Sequence, residues 1–339
     1  MNIVKALLVW TVVVVLGGCE TRTLIEPGEM PNTENGTVID GNRYFFIGGA
    51  TLFELLEQPD GRYEAAPLTH RDDCGFSGLT SDPADSTLYV ACTASEPSPS
   101  GSFASILWSD LIRVELPVDA SQPARISTTR LEETNFFPNG MAVDRAGDIY
   151  ISNSYSTIAS ILFGETHPAM IRVSITDEAL FDIEKTPVLS IEQGGPFPNG
   201  VQIQGDRLFW VGGDAVSEAR IQPTGLADIA PVYTAPEGRM FDDLAILPGH
   251  ILAIAEIPSF LTGEWPPPPD ASGQLTFVSV GPRAHSRCGN EVVFEYVFEP
   301  PILPSSAMLL MDDAGPALIV TDYLNGGIHS VSLPALNVF

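Results

Sequence analysis

Two stretches decide the architecture: Phe137-Pro-Asn-Gly-Met-Ala-Val-Asp-Arg-Ala-Gly-Asp-Ile-Tyr-Ile-Ser-Asn153 and Phe197-Pro-Asn-Gly-Val-Gln-Ile-Gln-Gly-Asp-Arg-Leu-Phe-Trp-Val-Gly-Gly213. Each reads as a polar turn, a short strand, a tight turn at Gly or Asp, and a second apolar strand. The same shape returns in FDDLAILPGHILAIAEI from Phe241, FSGLTSDPADSTLYVAC from Phe76 and PSSAMLLMDDAGPALIVTD from Pro304. A sixth copy, TENGTVIDGNRYFFIGG, starts at Thr33.

Further strand-like runs follow most copies. Met170–Ile175 and Pro187–Ile191 follow one; Ile112–Leu116 and Arg125–Thr129 follow another. Four short strands per repeat, at a mean spacing of about 50 residues, predict a six-bladed, all-β propeller with four-stranded antiparallel blades around a central channel. A sandwich or barrel also has many short strands, but not this self-similar unit. The blades read as 34–68, 74–131, 137–191, 197–235, 241–298 and 305–339. The last lacks an outermost strand, which either Ala335–Phe339 or an N-terminal segment supplies. Ser95–Phe103 reads as a surface loop. Pro258–Gly289 reads as a longer insertion with the stiff run Trp265-Pro-Pro-Pro-Pro269 and a strand at Gln274–Val280. Such an insertion either covers part of the channel mouth or is a surface elaboration.

The chain begins with an export signature. Lys5 precedes the apolar run Ala6–Leu16, whose 11 residues suit a signal peptide and fall short of a membrane span. Leu16-Gly17-Gly18-Cys19 resembles the bacterial lipobox, which implies cleavage after residue 18 and lipidation at Cys19; the alternative is an ordinary cleavable signal. Glu20 at the next position points to the outer membrane. The expected organisation is therefore a signal peptide at 1–18, a lipid-anchored tether at 19–32 and the propeller at 33–339. Contact with the membrane is expected only through that anchor.

Of 16 basic and 43 acidic side chains, removal of the signal takes Lys5 alone, leaving a formal charge of −28. That field repels nucleic acid and anionic lipid and attracts cations. The 44% hydrophobic content supplies a large core rather than a disordered chain. Cys74 and Cys92 flank a hairpin whose turn, Ser81–Asp85, lies near their midpoint, so they face one another across paired strands and suit a disulfide in an oxidising compartment. Cys288 is left over, as a buried thiol.

In a propeller the innermost strands line the channel, and the residue before each sits near the axis. Around the ring this position reads Glu34, Ser77, Asn139, Asn199, Asp242 (with Asp243 beside it) and Ser305 or Ser306. Carboxylates and amides converging from different blades are hard oxygen ligands, suited to Ca²⁺, or less specifically Mg²⁺ or Mn²⁺. Each Asn-Gly alone is equally a tight turn.

FPNGMAVDRAGDIYISN, FPNGVQIQGDRLFWVGG and FDDLAILPGHILAIAEI resemble the strand units of the SMP-30/gluconolactonase and paraoxonase-like propellers. The resemblance implies Glu34, Asn139, Asn199 and Asp242 as ligands of a divalent ion. It implies Asp242 or Asp243 as the catalytic carboxylate of a lactone-opening hydrolase. Paraoxonase-like enzymes carry a His where this chain has Ser77, and none of His70, His167, His250, His285 or His329 falls on a matching position. This argues against a His general base. No nucleophile elbow, phosphate loop, dinucleotide fingerprint or zinc spacing is present. The leading expectation is a metal-dependent hydrolase of lactones or related esters. The alternatives are a non-catalytic surface propeller binding a ligand or protein partner, and a structural calcium shell.

Overall fold

The computed structural model describes residues 21–82, 84, 86–96, 105–117, 122–259, 272–281, 291–312, 315–323 and 325–333. Cys19, the signal segment, Trp265–Pro269, His285, Cys288 and Ala335–Phe339 lie outside them, as does most of Ser95–Phe103.

The chain forms six four-stranded antiparallel sheets arranged as propeller blades. It opens with β1 (Thr21–Ile25), and blade one is β2 (Thr33–Ile39), β3 (Arg43–Gly48), β4 (Thr51–Glu57) and β5 (Tyr63–His70). Blade two is β6 (Gly75–Ser81), β7 (Thr87–Glu96), β8 (Ser105–Glu115) and β9 (Arg125–Glu132). Blade three is β10 (Pro138–Val143), β11 (Ile149–Asn153), β12 (Met170–Asp177) and β13 (Asp182–Leu189), with helix α1 (Ser156–Phe163) between its second and third strands. The short helix α2 (Ile191–Gly194) leads into blade four: β14 (Pro198–Gln204), β15 (Arg207–Gly212), β16 (Ala215–Gln222) and β17 (Gly225–Thr234). Blade five is β18 (Arg239–Leu247), β19 (Ile251–Pro258), β20 (Gln274–Ser279) and β21 (Glu291–Val297). Blade six is β22 (Pro304–Asp312), β23 (Gly315–Asp322) and β24 (Ile328–Ser332), completed by β1.

All six repeated units are the inner hairpins of blades. β10, β11 and β15 are buried along their whole length because each blade is sandwiched between two others. The outer strands are largely solvated: β5 has only half-buried and exposed residues, and β13 buries Leu189 alone, at its end. Gln274–Ser279 is the third strand of blade five, as expected, and it divides the predicted insertion in two.

The core lies between blades. Phe45, Ile47 and Leu52 of blade one pack with Leu79, Leu88 and Val90 of blade two. Tyr150 and Met170 of blade three meet Leu208 and Trp210 of blade four. Between blades six and one, Ile319 and Ile328 meet Tyr44, Phe46 and Leu55, and Leu24 and Ile25 belong to this same cluster.

That last cluster corrects the tether expected at 19–32. Thr21–Ile25 is the outermost strand of blade six, paired antiparallel with β24 from Thr21 opposite Val331 to Ile25 opposite Ile328. Ile25 and Met30 are almost fully buried, and the Gly28 N–H donates to the Asn325 carbonyl at 2.6 Å. The physical reason is the open edge of β24: its unpaired backbone groups are satisfied by any extended segment that can reach them. The N-terminal segment thus closes the ring. Cys74 and Cys92 form the expected disulfide, their Cα atoms 5.7 Å apart and 18 residues apart in the chain.

Candidate active site at the channel mouth

Every inner strand slips register at its start. The pairing breaks between Thr33 and Gly36, Phe76 and Gly78, Pro138 and Met141, Pro198 and Val201, Phe241 and Asp243, and Pro304 and Ser306. A β-bulge re-aims side chains, and the six bulges set two tiers of residues at the starts of the inner strands. The upper tier is Glu34, Ser77, Asn139, Asn199, Asp242 and Ser305. The lower tier is Asn35, Gly78, Gly140, Gly200, Asp243 and Ser306.

Glycine occupies the lower tier in three consecutive blades because the adjacent inner strand approaches there. A Cβ on Gly140 would stand 2.2 Å from the Asn199 carbonyl oxygen, and one on Gly200 would stand 2.1 Å from Asp243 Oδ1. The space left by Gly200 is filled by the Asp243 carboxylate.

The structure brings together Glu34, Asn139, Asn199, Asp242 and Asp243. Asn139 Nδ2 donates to Glu34 Oε1 at 3.1 Å, and Asn199 Nδ2 donates to Asp242 Oδ1 at 2.6 Å. Asn35 Nδ2 donates to Asn139 Oδ1 at 3.1 Å and to the Ser77 carbonyl at 2.9 Å, tying three blades. Glu34, Asn199 and Asp242 remain half-buried, whereas Asn35, Asn139 and Asp243 are buried.

The electrostatics follow from burying acids together. Burial pushes the Glu34 carboxyl up to about 7, with the Asn139 hydrogen bond opposing and the Asp243 charge adding to the rise. Asp242 is raised well above the usual carboxylate range by burial, then by Glu34 and Asp243, against the Asn199 hydrogen bond. Burial likewise raises Asp243 to about 7, offset by the Leu244 N–H, the Ser306 hydroxyl and the Ala307 N–H. Ser306 Oγ is buried and faces this carboxylate without a hydrogen bond of normal geometry.

Two residues of the site escape a reading confined to the first position of each inner strand. Asn35 holds a second bulge position, the place that Asp243 and Ser306, both candidates from the sequence, also take. Tyr323 follows β23, its N–H donating to the Leu303 carbonyl at 3.0 Å. Its phenol is pushed up to about 12, first by the charge of Glu34, then by burial and Asp242. The only signal for it in sequence is its place directly after the sixth strand pair.

Ser77 and Ser305 are upper-tier residues with internal partners. Ser77 Oγ lies 3.1 Å from Thr93 Oγ1, and Ser305 Oγ donates to the Thr33 carbonyl at 2.9 Å. The described histidines lie elsewhere: His70 pairs with Asp72, His167 with Glu165, His250 with Gln204, and His329 sits on β24 near Thr23.

Among the described residues, no three His, Cys, Asp or Glu side chains are placed to hold a metal ion by themselves. A cation here would need amide oxygens as well. Asn199 can supply one if its amide turns over, which exchanges its oxygen and nitrogen with little change of shape, and Asn139 Oδ1, which accepts from Asn35, has a second lone pair to offer. The resulting donors are all oxygen, and the charges raising the carboxyl pKa values are those of other acids. The residues therefore fit a hard divalent cation.

Apolar side chains rim one side of the mouth. Phe137 and Phe197, which precede the two Pro-Asn-Gly runs, pack half-buried in one cluster with Ile106 of β8 and with Tyr155, Ile158 and Ala159 at helix α1.

No family model matches the chain, and no curated protein matches it. Solved structures do match. A gluconolactonase from Xanthomonas campestris superposes with a TM-score of 0.56 at 14% identity, over 94% of this chain and 91% of that one. A luciferin-regenerating enzyme gives 0.59 at 12% identity, over 94% and 96%. A glucose dehydrogenase gives 0.56 at 13%, over 94% and 100%. Three differently named enzymes on one scaffold leave the chemistry to the residues at the mouth. What the chain shares with them is the six-bladed propeller fold.

Proposed function

We propose that this protein is a divalent-cation-dependent hydrolase of lactones or related esters, with Ca²⁺ the favoured ion and Mg²⁺ or Mn²⁺ the substitutes. The observation that carries the reading is the convergence of two amide–carboxylate pairs, Asn139 with Glu34 and Asn199 with Asp242, drawn from four blades. Glu34, Asn139, Asn199 and Asp242 would hold the cation. When bound, such an ion polarises a carbonyl and acidifies water.

The residues themselves divide the remaining work. Asp242 is half-buried, and its carboxylate would take the proton from an attacking water. Asp243 is buried beneath it between Gly200 and Ser306 and sets the local charge rather than touching substrate. The Tyr323 phenol, kept protonated by the neighbouring carboxylates, is a hydrogen-bond donor at the same mouth.

The internal pairing of Ser77 and Ser305 favours a second reading, a non-catalytic propeller that captures a ligand or protein partner. Calorimetry after chelation, followed by a lactone screen, separates the two. The hydrolase reading expects one tight Ca²⁺ site and lactone turnover, both lost in Asp242→Ala. A wild-type protein that binds none of the three ions overturns it.

We further propose that the chain is exported and held by lipid at Cys19 on the bacterial outer membrane. The lipobox-like tetrad motivates this, and the mass of the mature N-terminal peptide tests it.

A further inference from the structure

We infer that the lipid anchor and the channel mouth lie on opposite sides of the ring, so that the protein presents its site away from the bilayer. The inference rests on the reading of Cys19 as the lipidated residue; everything else comes from strand direction.

The mouth is defined by the bulged starts of the inner strands. In blade six, β22 leaves the mouth at Pro304, and Pro304 pairs with Asp322, so β23 returns to the mouth at its C-terminal end. Thr321 pairs with Ile328, and β24 therefore leaves the mouth again toward Ser332, which pairs with Ala317. β1 runs against β24: Ile25 stands opposite Ile328 at the mouth end, and Thr21 stands opposite Val331 at the far end.

A side-chain contact reports the same side. Arg22 Nη2 donates to the Gly61 carbonyl at 2.6 Å, in the turn joining β4 to β5. In blade one, β2 leaves the mouth at Thr33, and Thr33 pairs with Gly48, so β3 ends there. β4 starts at the mouth with Thr51 opposite Gly48, and the turn after Glu57 is on the far side.

Cys19 precedes Thr21 by two residues, a reach of at most about 7 Å. The point of attachment therefore cannot travel from the back of blade six to the mouth. Nor can β1 swing out as a flexible leader, because Leu24 and Ile25 are buried in the cluster that joins blades six and one. With so strong an excess of acid over base, attraction to anionic lipid does not set the orientation. The covalent point does. Helix α1, whose Ile161 is 76% exposed, lies at the mouth of blade three, across the ring from blade six, and faces solvent.

The test uses the full-length lipoprotein in a Cys288→Ser background. It carries one fluorophore, at Asp60→Cys in the β4–β5 turn or at Ile161→Cys on α1, in phosphatidylcholine vesicles containing a headgroup nitroxide quencher. The dye at position 60 is expected to lose much of its emission while the dye at position 161 keeps its own. Equal quenching, or stronger quenching at 161, overturns the orientation. A mature N-terminal peptide whose mass shows an unmodified Cys19 overturns it through its premise, and that outcome leaves the hydrolase reading untouched.

Discussion

Glu34 and Asp243 hold carboxyl groups raised to about 7 from ordinary values of 4.5 and 3.8, chiefly by burial. Unfolded, both ionise near those lower values; folded, both keep protons until about 7. Between these limits the folded state binds more protons than the unfolded chain, so their contribution is complete at low pH and is lost as pH rises through 7. Without divalent ions, the melting temperature should fall from about pH 5 to about pH 8, and saturating Ca²⁺ should recover it at the upper end. Glu34→Gln with Asp243→Asn should make that profile shallower, with the slope that remains belonging to Asp242. A cation-free melting temperature that holds constant or climbs over this range would mean that the mouth solvates its acids. Glu34, Asn139, Asn199 and Asp242 were legible in sequence because each stands first in its bulge, next to a turn signal. Asn35 was not, because its amide acts on Asn139, a neighbour 104 residues away that no local pattern specifies.

Among the elements, inner hairpins were legible and β1 was not. The hairpins carry their own turn chemistry and continuous apolar strands, so local preference and tertiary demand agree. Thr21–Ile25 is a short mixed run followed by Glu26-Pro27-Gly28, and it reads as a leader. It becomes a strand because β24 offers an edge and because Leu24 and Ile25 complete an apolar cluster between two blades. A chain starting at Glu26 should therefore melt at a distinctly lower temperature, since losing a large buried aliphatic side chain costs about 2–5 kcal/mol. It should also self-associate on size exclusion through the exposed edge of β24. Unchanged melting and a monomeric profile would show that the ring closes well enough on three strands in blade six.

At the scale of the whole molecule, sixfold repetition made the architecture readable. A pattern met once is a hairpin, and met six times with two further strands it is a ring of blades. The second tier of the mouth was legible only where it stands beside a first-position candidate, at Asp243 and Ser306. Repetition draws attention to what recurs, and Asn35 breaks the run of glycines at Gly78, Gly140 and Gly200. Charge, by contrast, is a property of the entire chain and acts on whatever approaches the mouth. With 43 acidic against 16 basic side chains, a neutral lactone meets no long-range barrier, while an anionic one is repelled before it reaches Asp242. Screening shortens that repulsion from about 30 Å at 0.01 M salt to about 8 Å at 0.15 M. If the hydrolase reading holds, kcat/KM for an anionic lactone should rise across this range at saturating Ca²⁺, and for a neutral lactone of equal size it should stay level. Should both respond alike, salt is acting on the cation or the fold rather than on the substrate's approach, and a lactone screen would have no reason to favour neutral compounds.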